Sequence, residues 1–210
     1  MKNVIIVGAG GFGREVYNYV EDCIKAGVQW QIKGFLDDNL NALDDYKYPT
    51  SIISSISDYI PEENDVFICG LGNPKTKKDV VEKLLARGAK FETLVHPSAY
   101  VGRNVKLGVG CVVCPNCVLT CDSLLDDFVI LNIGTSVGHD TRIGQWCTIS
   151  SHCDITGFVN IAEGAFLASS VAVIPSSLIG EWATVGVNSS VISKVKDNTT
   201  VYGNPAIKLK

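Results

Sequence analysis

The sequence predicts a two-part protein, with a small parallel α/β domain at the amino terminus and a parallel β-helix behind it. Three observations lead to this fold class. The first part alternates apolar strand patterns with helical ones, a glycine loop joins its first strand to its first helix, and a six-residue repeat fills most of the remaining chain. We expect the α/β domain over residues 1–93, the β-helix over 94–192 and a C-terminal tail over 193–210.

The repeat is carried by aliphatic residues. Every sixth residue from Val101 to Val191 is Val, Leu or Ile, and a small or β-branched residue lies two positions before each of them, from Ala99 to Ser189. A period of six fits neither an α-helix nor a simple hairpin, whereas a β-helix of triangular cross-section uses one hexapeptide for each side. We therefore expect the aliphatic side chains to point into the prism and about five coils to stack on one another.

The composition is that of a folded protein of one or two domains. Hydrophobic residues make up 46% of the 210 residues and charged residues 19%, which excludes wholesale disorder. The formal net charge is −4 without a long basic run, so nucleic acid is not an expected partner. No apolar run reaches the roughly 20 residues of a membrane span. The amino terminus passes directly into the glycine loop and lacks a signal-peptide pattern, so we expect a cytoplasmic protein.

The chain has eight cysteines, and four of them have a spacing that resembles an iron–sulfur cluster run: Cys111, Cys114, Cys117 and Cys121. The repeat offers a better explanation. Cys111 and Cys117, like Cys147 and Cys153, occupy the small-residue position of the hexapeptide, where a free thiol packs as a small apolar group. We therefore expect thiols that serve packing and no bound metal.

The amino-terminal part contains a dinucleotide-type glycine motif. Strands are predicted at Asn3–Val7, Gln31–Leu36 and Asp65–Cys69, with helices after the first and third of them. Gly8, Gly10 and Gly13 form the pattern G-x-G-x-x-G between strand and helix, with Gly11 and Phe12 completing the loop. Asp37 or Asp38, after the second strand, is expected to bind a ribose hydroxyl. A domain this small is Rossmann-like but only half of a dinucleotide domain, so a mononucleotide moiety fits it better; a glycine turn without a ligand is the alternative.

The candidate base is a histidine. Of the three histidines, His139 lies two positions after the inward Val137, on a predicted corner, and is followed by Asp140. Acyl transfer to an amine or hydroxyl needs a base near neutral pH, which imidazole supplies, and a neighbouring carboxylate can orient the ring. An exposed corner histidine without a role is the alternative reading. His96, before a proline at the domain junction, is expected to be structural.

Several motifs together resemble one family. They are VIIVGAGGFGREV, GFLDD, GLGNPKTK, LVHPSA, VYGNPAIKL and the His139–Gly144 segment HDTRIG. With the repeat, they make the chain similar to the left-handed β-helix sugar acyltransferases, the group of sialic acid O-acetyltransferases and nucleotide-linked amino-sugar N-acetyltransferases of surface-glycan pathways. The resemblance implies a left-handed β-helix, a homotrimer, acetyl-coenzyme A bound along the β-helix between subunits, and a nucleotide or sugar at the amino-terminal loop.

The resemblance also implies site residues. His139 would be the base and Asp140 its partner. The substrate would contact Gly8, Gly10, Gly11, Phe12, Gly13, Asp37, Asp38 and Asn73, and the coenzyme would contact Thr148, Gly157, Ala168, Ser169, Gly186, Val187 and Pro205. Thr148 stands where many relatives have a second histidine that contacts the thioester carbonyl, so either its hydroxyl or His152 would replace that contact. Phe12 stands where many relatives have a histidine, which affects the choice of sugar.

The leading hypothesis is an enzyme that transfers acetyl from acetyl-coenzyme A to an amine of a nucleotide-linked amino sugar. One alternative is O-acetylation of a sialic acid or another sugar hydroxyl with the same base. Another is a non-catalytic trimeric scaffold that binds a sugar nucleotide.

Overall fold

The computed structural model describes residues 1–209. Its amino-terminal domain is a parallel four-stranded sheet in the order β3-β2-β1-β4 with two helices. The elements are β1 (Lys2–Val7), α1 (Gly11–Lys25), β2 (Trp30–Leu36), β3 (Ile52–Ser54), β4 (Asp65–Cys69) and α2 (Pro74–Leu85). The three predicted strands and both helices are present. The short edge strand β3 was not predicted, because three half-buried residues leave too short a pattern.

The sheet explains where the glycine loop lies. β1 is one of the two inner strands, and its residues Val4–Val7 are fully buried between its two neighbours. β1 connects through α1 to β2 on one side, whereas β4 pairs with it on the other. In a parallel sheet the ligand crevice forms where the strand order reverses, at the carboxyl ends of the strands. Here that point lies between the loops that follow β1 and β4.

The rest of the chain is a β-helix of triangular cross-section. Seventeen two-residue strands follow one another: β5 (Leu94–Val95), β6 (Tyr100–Val101), β7 (Lys106–Leu107), β8 (Val112–Val113), β9 (Val118–Leu119), β10 (Leu124–Leu125), β11 (Ile130–Leu131), β12 (Ser136–Val137), β13 (Arg142–Ile143), β14 (Thr148–Ile149), β15 (Asp154–Ile155), β16 (Asn160–Ile161), β17 (Phe166–Leu167), β18 (Ala172–Val173), β19 (Leu178–Ile179), β20 (Thr184–Val185) and β21 (Ser190–Val191). Each of β5 to β18 pairs in parallel with the strand three further along, so residues 18 apart are neighbours.

The strands form three faces, which we number 1 to 3 in the order in which the chain first reaches them. Face 1 contains β5, β8, β11, β14, β17 and β20; face 2 contains β6, β9, β12, β15, β18 and β21; face 3 contains β7, β10, β13, β16 and β19. The chain turns at three edges, named by the faces that they join. At each turn from Asn104 to Asn188 one residue adopts a left-handed conformation, as Asp140 does with φ 56°.

The predicted register of the repeat is confirmed. All sixteen aliphatic residues are the second residue of their strand, and all but Val101 and Leu107, in the first coil, are buried. From Cys111 onward, the small-residue position is buried as well. Several of its thiols and hydroxyls donate to the carbonyl oxygen fifteen residues later, as Cys111 Sγ does to Asp126 O (3.1 Å) and Thr135 Oγ1 to Ser150 O (3.0 Å). Ser123 Oγ is buried without a partner among residues 1–209. Cys117, Cys147 and Cys153 make the same bond as Cys111, which gives the cysteines in this register a structural role.

The amino-terminal domain packs on face 1 of the β-helix. Lys77 of α2 is fully buried, and its Nζ donates to Cys147 O and Thr148 Oγ1 on that face, both at 3.0 Å. Phe91 packs edge-on against Phe128 at the 3/1 edge, and Phe128 stacks on Trp146 with 4.6 Å between ring centroids. A triangular prism covered on face 1 keeps its opposite edge, the 2/3 edge, away from that domain.

Face 1 continues beyond the last hexapeptide. β22 (Thr200–Tyr202) pairs in parallel with β20, and β23 (Ile207–Lys208) pairs antiparallel with β22. The predicted tail 193–210 therefore contributes two strands to the β-helix over its described residues. Within residues 1–209, no helix is long and apolar enough to cross a membrane.

Candidate active site

The glycine loop after β1 is built by close backbone contacts. A Cβ on Gly13 would lie 1.9 Å from the carbonyl oxygen of Gly8, and a Cβ on Gly70 would lie 2.7 Å from Gly13 Cα. Gly8 itself has φ 95°, a conformation that favours glycine. Gly8, Gly13 and Gly70 thus let α1 begin directly against the ends of β1 and β4. This is the close helix–strand packing that the third glycine of the motif provides.

The other two glycines leave the loop open. A Cβ on Gly10 or Gly11 would meet nothing within 4 Å. Gly10 is the N-cap of α1 without a side-chain capping bond, and the first turn of α1 has no acidic residue. A helix start with free N–H groups and no acidic residue in its first turn is suited to an anion such as a phosphate. Phe12 is half-buried and packs against the core.

The predicted acidic residues support the loops beside this helix start. Asp37 Oδ2 accepts from the backbone N–H of Ala9 at 2.8 Å, and its Oδ1 accepts from Asn39 N–H at 2.9 Å. Asp38 Oδ1 accepts from Ile56 N–H at 2.9 Å. Asn73 caps α2 by accepting from the N–H of Thr76 at 3.0 Å. These bonds bring Asp37 to the glycine loop, whereas ribose binding by Asp37 or Asp38 stays a prediction.

His139 and Asp140 lie at the 2/3 edge of the β-helix. His139 Nδ1 is 2.9 Å from Asp140 Oδ2, and the side chains are 53% and 48% exposed. A carboxylate only accepts hydrogen bonds, so the ring donates from Nδ1 and its Nε2 keeps a free lone pair. The pair therefore presents an oriented, accessible acceptor of a proton, as a general base requires.

The next coil forms the floor and one wall of this position. Gly157, eighteen residues after His139, lies against the imidazole, since a Cβ there would be 2.7 Å from Cε1 and Nε2. The N–H of Gly157 has no acceptor within the described part of the chain. Phe158 packs against the imidazole with 5.0 Å between centroids and an interplanar angle of 89°. Phe158 was not among the predicted site residues, although the 18-residue coil would have placed it there.

One coil before His139, the 2/3 edge carries a second acidic residue, Asp122. Asn104 Nδ2 donates to Asp122 Oδ1 at 2.7 Å, and this bond holds the pKa of Asp122 below its ordinary value, with a smaller contribution from His139. Cys121, half-buried, precedes it in the chain. The 2/3 edge is therefore polar on one side of His139 and apolar on the other.

The structure does not support the prediction that Thr148 contacts a thioester beside His139. Thr148 is 4% exposed on face 1, and its hydroxyl accepts from Lys77 Nζ at 3.0 Å under α2. A position nine residues after His139 falls one and a half sides further around the coil, on the face opposite the 2/3 edge. The sequence did not predict this contact, in which the buried Lys77 donates a hydrogen bond to the Thr148 hydroxyl.

The other two histidines lie elsewhere. His152 is exposed on the 1/2 edge, where its ring packs over Gly134. His96 is held by Ser98 Oγ at 2.8 Å from Nδ1 and by Asp22 Oδ2 at 3.3 Å from Nε2. It thereby ties α1 to the domain junction, as expected of a structural residue.

The predicted coenzyme contacts lie on two different edges. Gly157 is on the 2/3 edge beside His139. Ala168 and Ser169 are on the 1/2 edge, with Gly186 and Val187 one coil later and Pro205 after β22. Face 2 separates the two edges, so one chain does not bring the two sets together. No group of three or more His, Cys, Asp or Glu side chains among residues 1–209 could hold a metal ion.

Comparison with known proteins finds sugar acetyltransferases that are similar to part of the sequence and to the whole fold. Residues 3–84 match the PglD N-terminal domain. UDP-N-acetylbacillosamine N-acetyltransferase of Bacillus subtilis (strain 168) is 31% identical over 117 residues, or 54% of this chain. The match spans about half of that curated relative, 51% of its length.

Solved structures match over the whole chain. The acetyltransferase domain of PglB from Neisseria gonorrhoeae FA1090 gives a TM-score of 0.89 at 26% identity, covering 100% of both chains, and has also been solved with acetyl coenzyme A. PerB from Caulobacter crescentus, solved with CoA and GDP-perosamine, gives a TM-score of 0.89 at 25% identity, covering 100% of this chain and 98% of that one. The resemblance seen in the sequence is thus confirmed: residues 3–84 match the PglD N-terminal domain, and the chain has the fold of the left-handed β-helix sugar acetyltransferases.

Proposed function

We propose that this protein transfers an acetyl group from acetyl-coenzyme A to the amine of a nucleotide-linked amino sugar, without a metal. The observation that carries the proposal is the His139–Asp140 pair, whose half-exposed imidazole lies against Gly157, a residue with a free N–H. The open start of α1 supports a diphosphate at the other end of the acceptor. CoA with GDP-perosamine in PerB, and acetyl coenzyme A in PglB, support the two substrate classes.

The reaction follows from these groups. The sugar amine attacks the carbonyl carbon of the thioester, and His139 Nε2 takes the proton that the nitrogen loses. Negative charge develops on the carbonyl oxygen, which the N–H of Gly157 can bind as an oxyanion donor. The carbon–sulfur bond then breaks, and the leaving thiolate receives the proton from the imidazolium. Asp140 holds the ring and stabilises its charged form, as a carboxylate does in a catalytic triad.

We further propose that the site forms between copies in a closed trimer. The amino-terminal domain covers face 1, whereas His139 lies on the opposite edge. The outward residues of face 2 are small from the third coil onward, apart from Asp154: Ser136, Ala172 and Ser190. Three prisms that turn face 2 toward a threefold axis bring the 2/3 edge of each copy to the 1/2 edge of the next. His139 of one copy then meets the coenzyme residues Ala168 to Val187 of another.

The test of the activity is a thiol-release assay with acetyl-coenzyme A and a panel of nucleotide-linked amino sugars, free amino sugars and sialic acid. We expect release with a nucleotide-linked amino sugar. His139→Asn should lower kcat by about 10²–10⁴ and leave coenzyme binding unchanged. Arg103→Gln, an exposed change two coils away on the same edge, is the matched control. Thiol release with sialic acid but with no other acceptor would favour O-acetylation. The absence of thiol release with every acceptor of the panel would favour a non-catalytic scaffold.

Subunit mixing tests the shared site. His139→Asn lacks the base, and Val187→Trp, a change at an exposed residue, obstructs the predicted coenzyme position on the 1/2 edge. Co-refolded trimers of the two inactive variants should regain roughly one quarter of wild-type activity, since random assembly joins an intact 1/2 edge to an intact His139 in that share of sites. A mixture that stays inactive, or a monomer by light scattering, would contradict the shared site.

A further inference from the structure

We infer that Phe158 is a positioning residue that holds the imidazole of His139 in the orientation for proton transfer. The inference rests on the proposed acetyltransferase function. It begins from an aromatic side chain that packing within the chain does not explain. Phe158 is 57% exposed and lies at the 2/3 edge, the edge opposite the amino-terminal domain.

The backbone of Phe158 makes the choice of residue unusual. Its φ is 58°, in the left-handed region, where Asn, Asp and Gly are favoured and a bulky side chain is disfavoured. Three other turn residues with this conformation are aromatic: Phe128, Trp146 and Trp182. All three lie on the 3/1 edge, where Phe128 and Trp146 are buried in the domain contact and Trp182 packs over Gly164. Phe158 has no such contact to compensate for its backbone.

What Phe158 does contact is His139. The rings meet at 5.0 Å between centroids with an interplanar angle of 89°, the edge-to-face geometry of a favourable aromatic pair. The N–H of Phe158 also donates to the carbonyl oxygen of His139 at 2.9 Å, which fixes the two residues in register. Asp140 holds Nδ1 and Gly157 lies under the ring, so Phe158 closes the side that those two leave open.

The expected consequence is a change in turnover rather than in binding. Without the phenyl ring, the imidazole has freedom to rotate away from the Asp140 bond, and fewer molecules hold Nε2 toward the attacking amine. The strength of such aromatic pairs corresponds to a loss in kcat of about 3- to 10-fold. The KM values of both substrates should change by less than about 2-fold, because Phe158 is not needed to bind either one.

The experiment compares three variants. Phe158→Asn removes the ring but adopts the left-handed turn readily, so its melting temperature should equal or exceed that of the wild type while kcat falls. Phe158→Tyr keeps the ring and should restore kcat. Ser176→Asn, at the same turn position one coil later, is the matched control; it should leave kcat unchanged and, like Phe158→Asn, should not lower the melting temperature. A Phe158→Asn kcat within 2-fold of wild type, failure of Phe158→Tyr to restore it, or a rise in KM alone would overturn the inference.

A second measurement does not depend on turnover, so failure of the proposed function remains distinguishable. The ring current of Phe158 should shift the carbon-bound imidazole protons of His139 in NMR spectra. In Phe158→Asn these signals should move toward those of a freely rotating histidine, whereas in Ser176→Asn they should stay. Unchanged His139 signals in Phe158→Asn would overturn the positioning role even in a protein without acetyltransferase activity.

Discussion

The glycine motif after β1 contains two positions that respond oppositely to the same added methyl group. A Cβ at Gly13 would lie 1.9 Å from Gly8 O, whereas a relaxed carbon–oxygen contact is about 3.3 Å. The first turn of α1 and the end of β1 would have to separate by roughly 1.4 Å. Both sides of this contact are backbone, so no side-chain rotation relieves it. Gly11 is exposed in the first turn of the same helix and would meet nothing.

These distances predict the direction and the size of the stability change in two variants, Gly13→Ala and Gly11→Ala. Overpacking of this kind costs about 1–3 kcal/mol, so Gly13→Ala should lower the melting temperature by roughly 2–12 °C for a chain of this size. Gly11→Ala should raise the free energy of unfolding by about 0.5–1 kcal/mol, because alanine is the better helix former. Thermal and urea denaturation, monitored by circular dichroism, measure both.

Calorimetric titration of the same two variants with UDP, GDP and dTDP measures their nucleotide affinity and so distinguishes an effect on binding from an effect on stability. Gly11→Ala should weaken the binding of the preferred nucleotide while the fold is kept, since its methyl group enters the open space at the helix start. The reasoning is refuted if Gly13→Ala is as stable as the wild type, or if Gly11→Ala loses as much stability as Gly13→Ala.

Four further outcomes are expected. Burial lowers the pKa of Lys77 to about 8 from 10.5. Between these two pH values the unfolded chain binds more protons than the folded one, so stability increases with pH. Relative to Lys77→Met, the wild type should gain up to roughly 1 kcal/mol of stability per pH unit in this range, measured by urea denaturation at pH 7, 8 and 9. Ile155→Ala, in the prism interior, should lower the free energy of unfolding by about 2–5 kcal/mol, against less than about 0.5 kcal/mol for Ile174→Ala on the surface. Asp37→Asn should lower it by about 1.5–3 kcal/mol through the bond to the glycine loop and should also weaken nucleotide binding by calorimetry. Elemental analysis should find iron and zinc well below one equivalent per chain, and a full equivalent would contradict the packing role of the cysteines.

The β-helix was predictable because its information is local and repeated. Each hexapeptide specifies its own strand, turn and inward side chain, so the buried positions from Val113 to Val191 follow from the period alone. The same holds for the start of α1, where the glycine spacing reflects a contact between residues five apart, Gly8 and Gly13. His139 and Asp140 were predictable as a pair because they are adjacent in sequence and fall on a turn.

The surroundings of His139 depend on the stacking of coils. Gly157 and Phe158 reach the imidazole because residues 18 apart are neighbours in this β-helix. That period was available in the sequence, yet it assigns only the position beside the base and not the orientation of the rings. The ring orientation is set by side-chain packing, for which the repeat carries no pattern.

The covered face of the prism was decided by tertiary structure alone. Thr148 has the sequence position of a site residue, but α2 lies over it and Lys77, 71 residues earlier, binds its hydroxyl. The docking of the two domains depends on the fit of surfaces formed by distant segments, such as Phe91 against Phe128. No local period or motif encodes that fit, so the sequence determined the two folds and the His139–Asp140 pair, while only the packed structure determined which edge of the prism stays free for that pair.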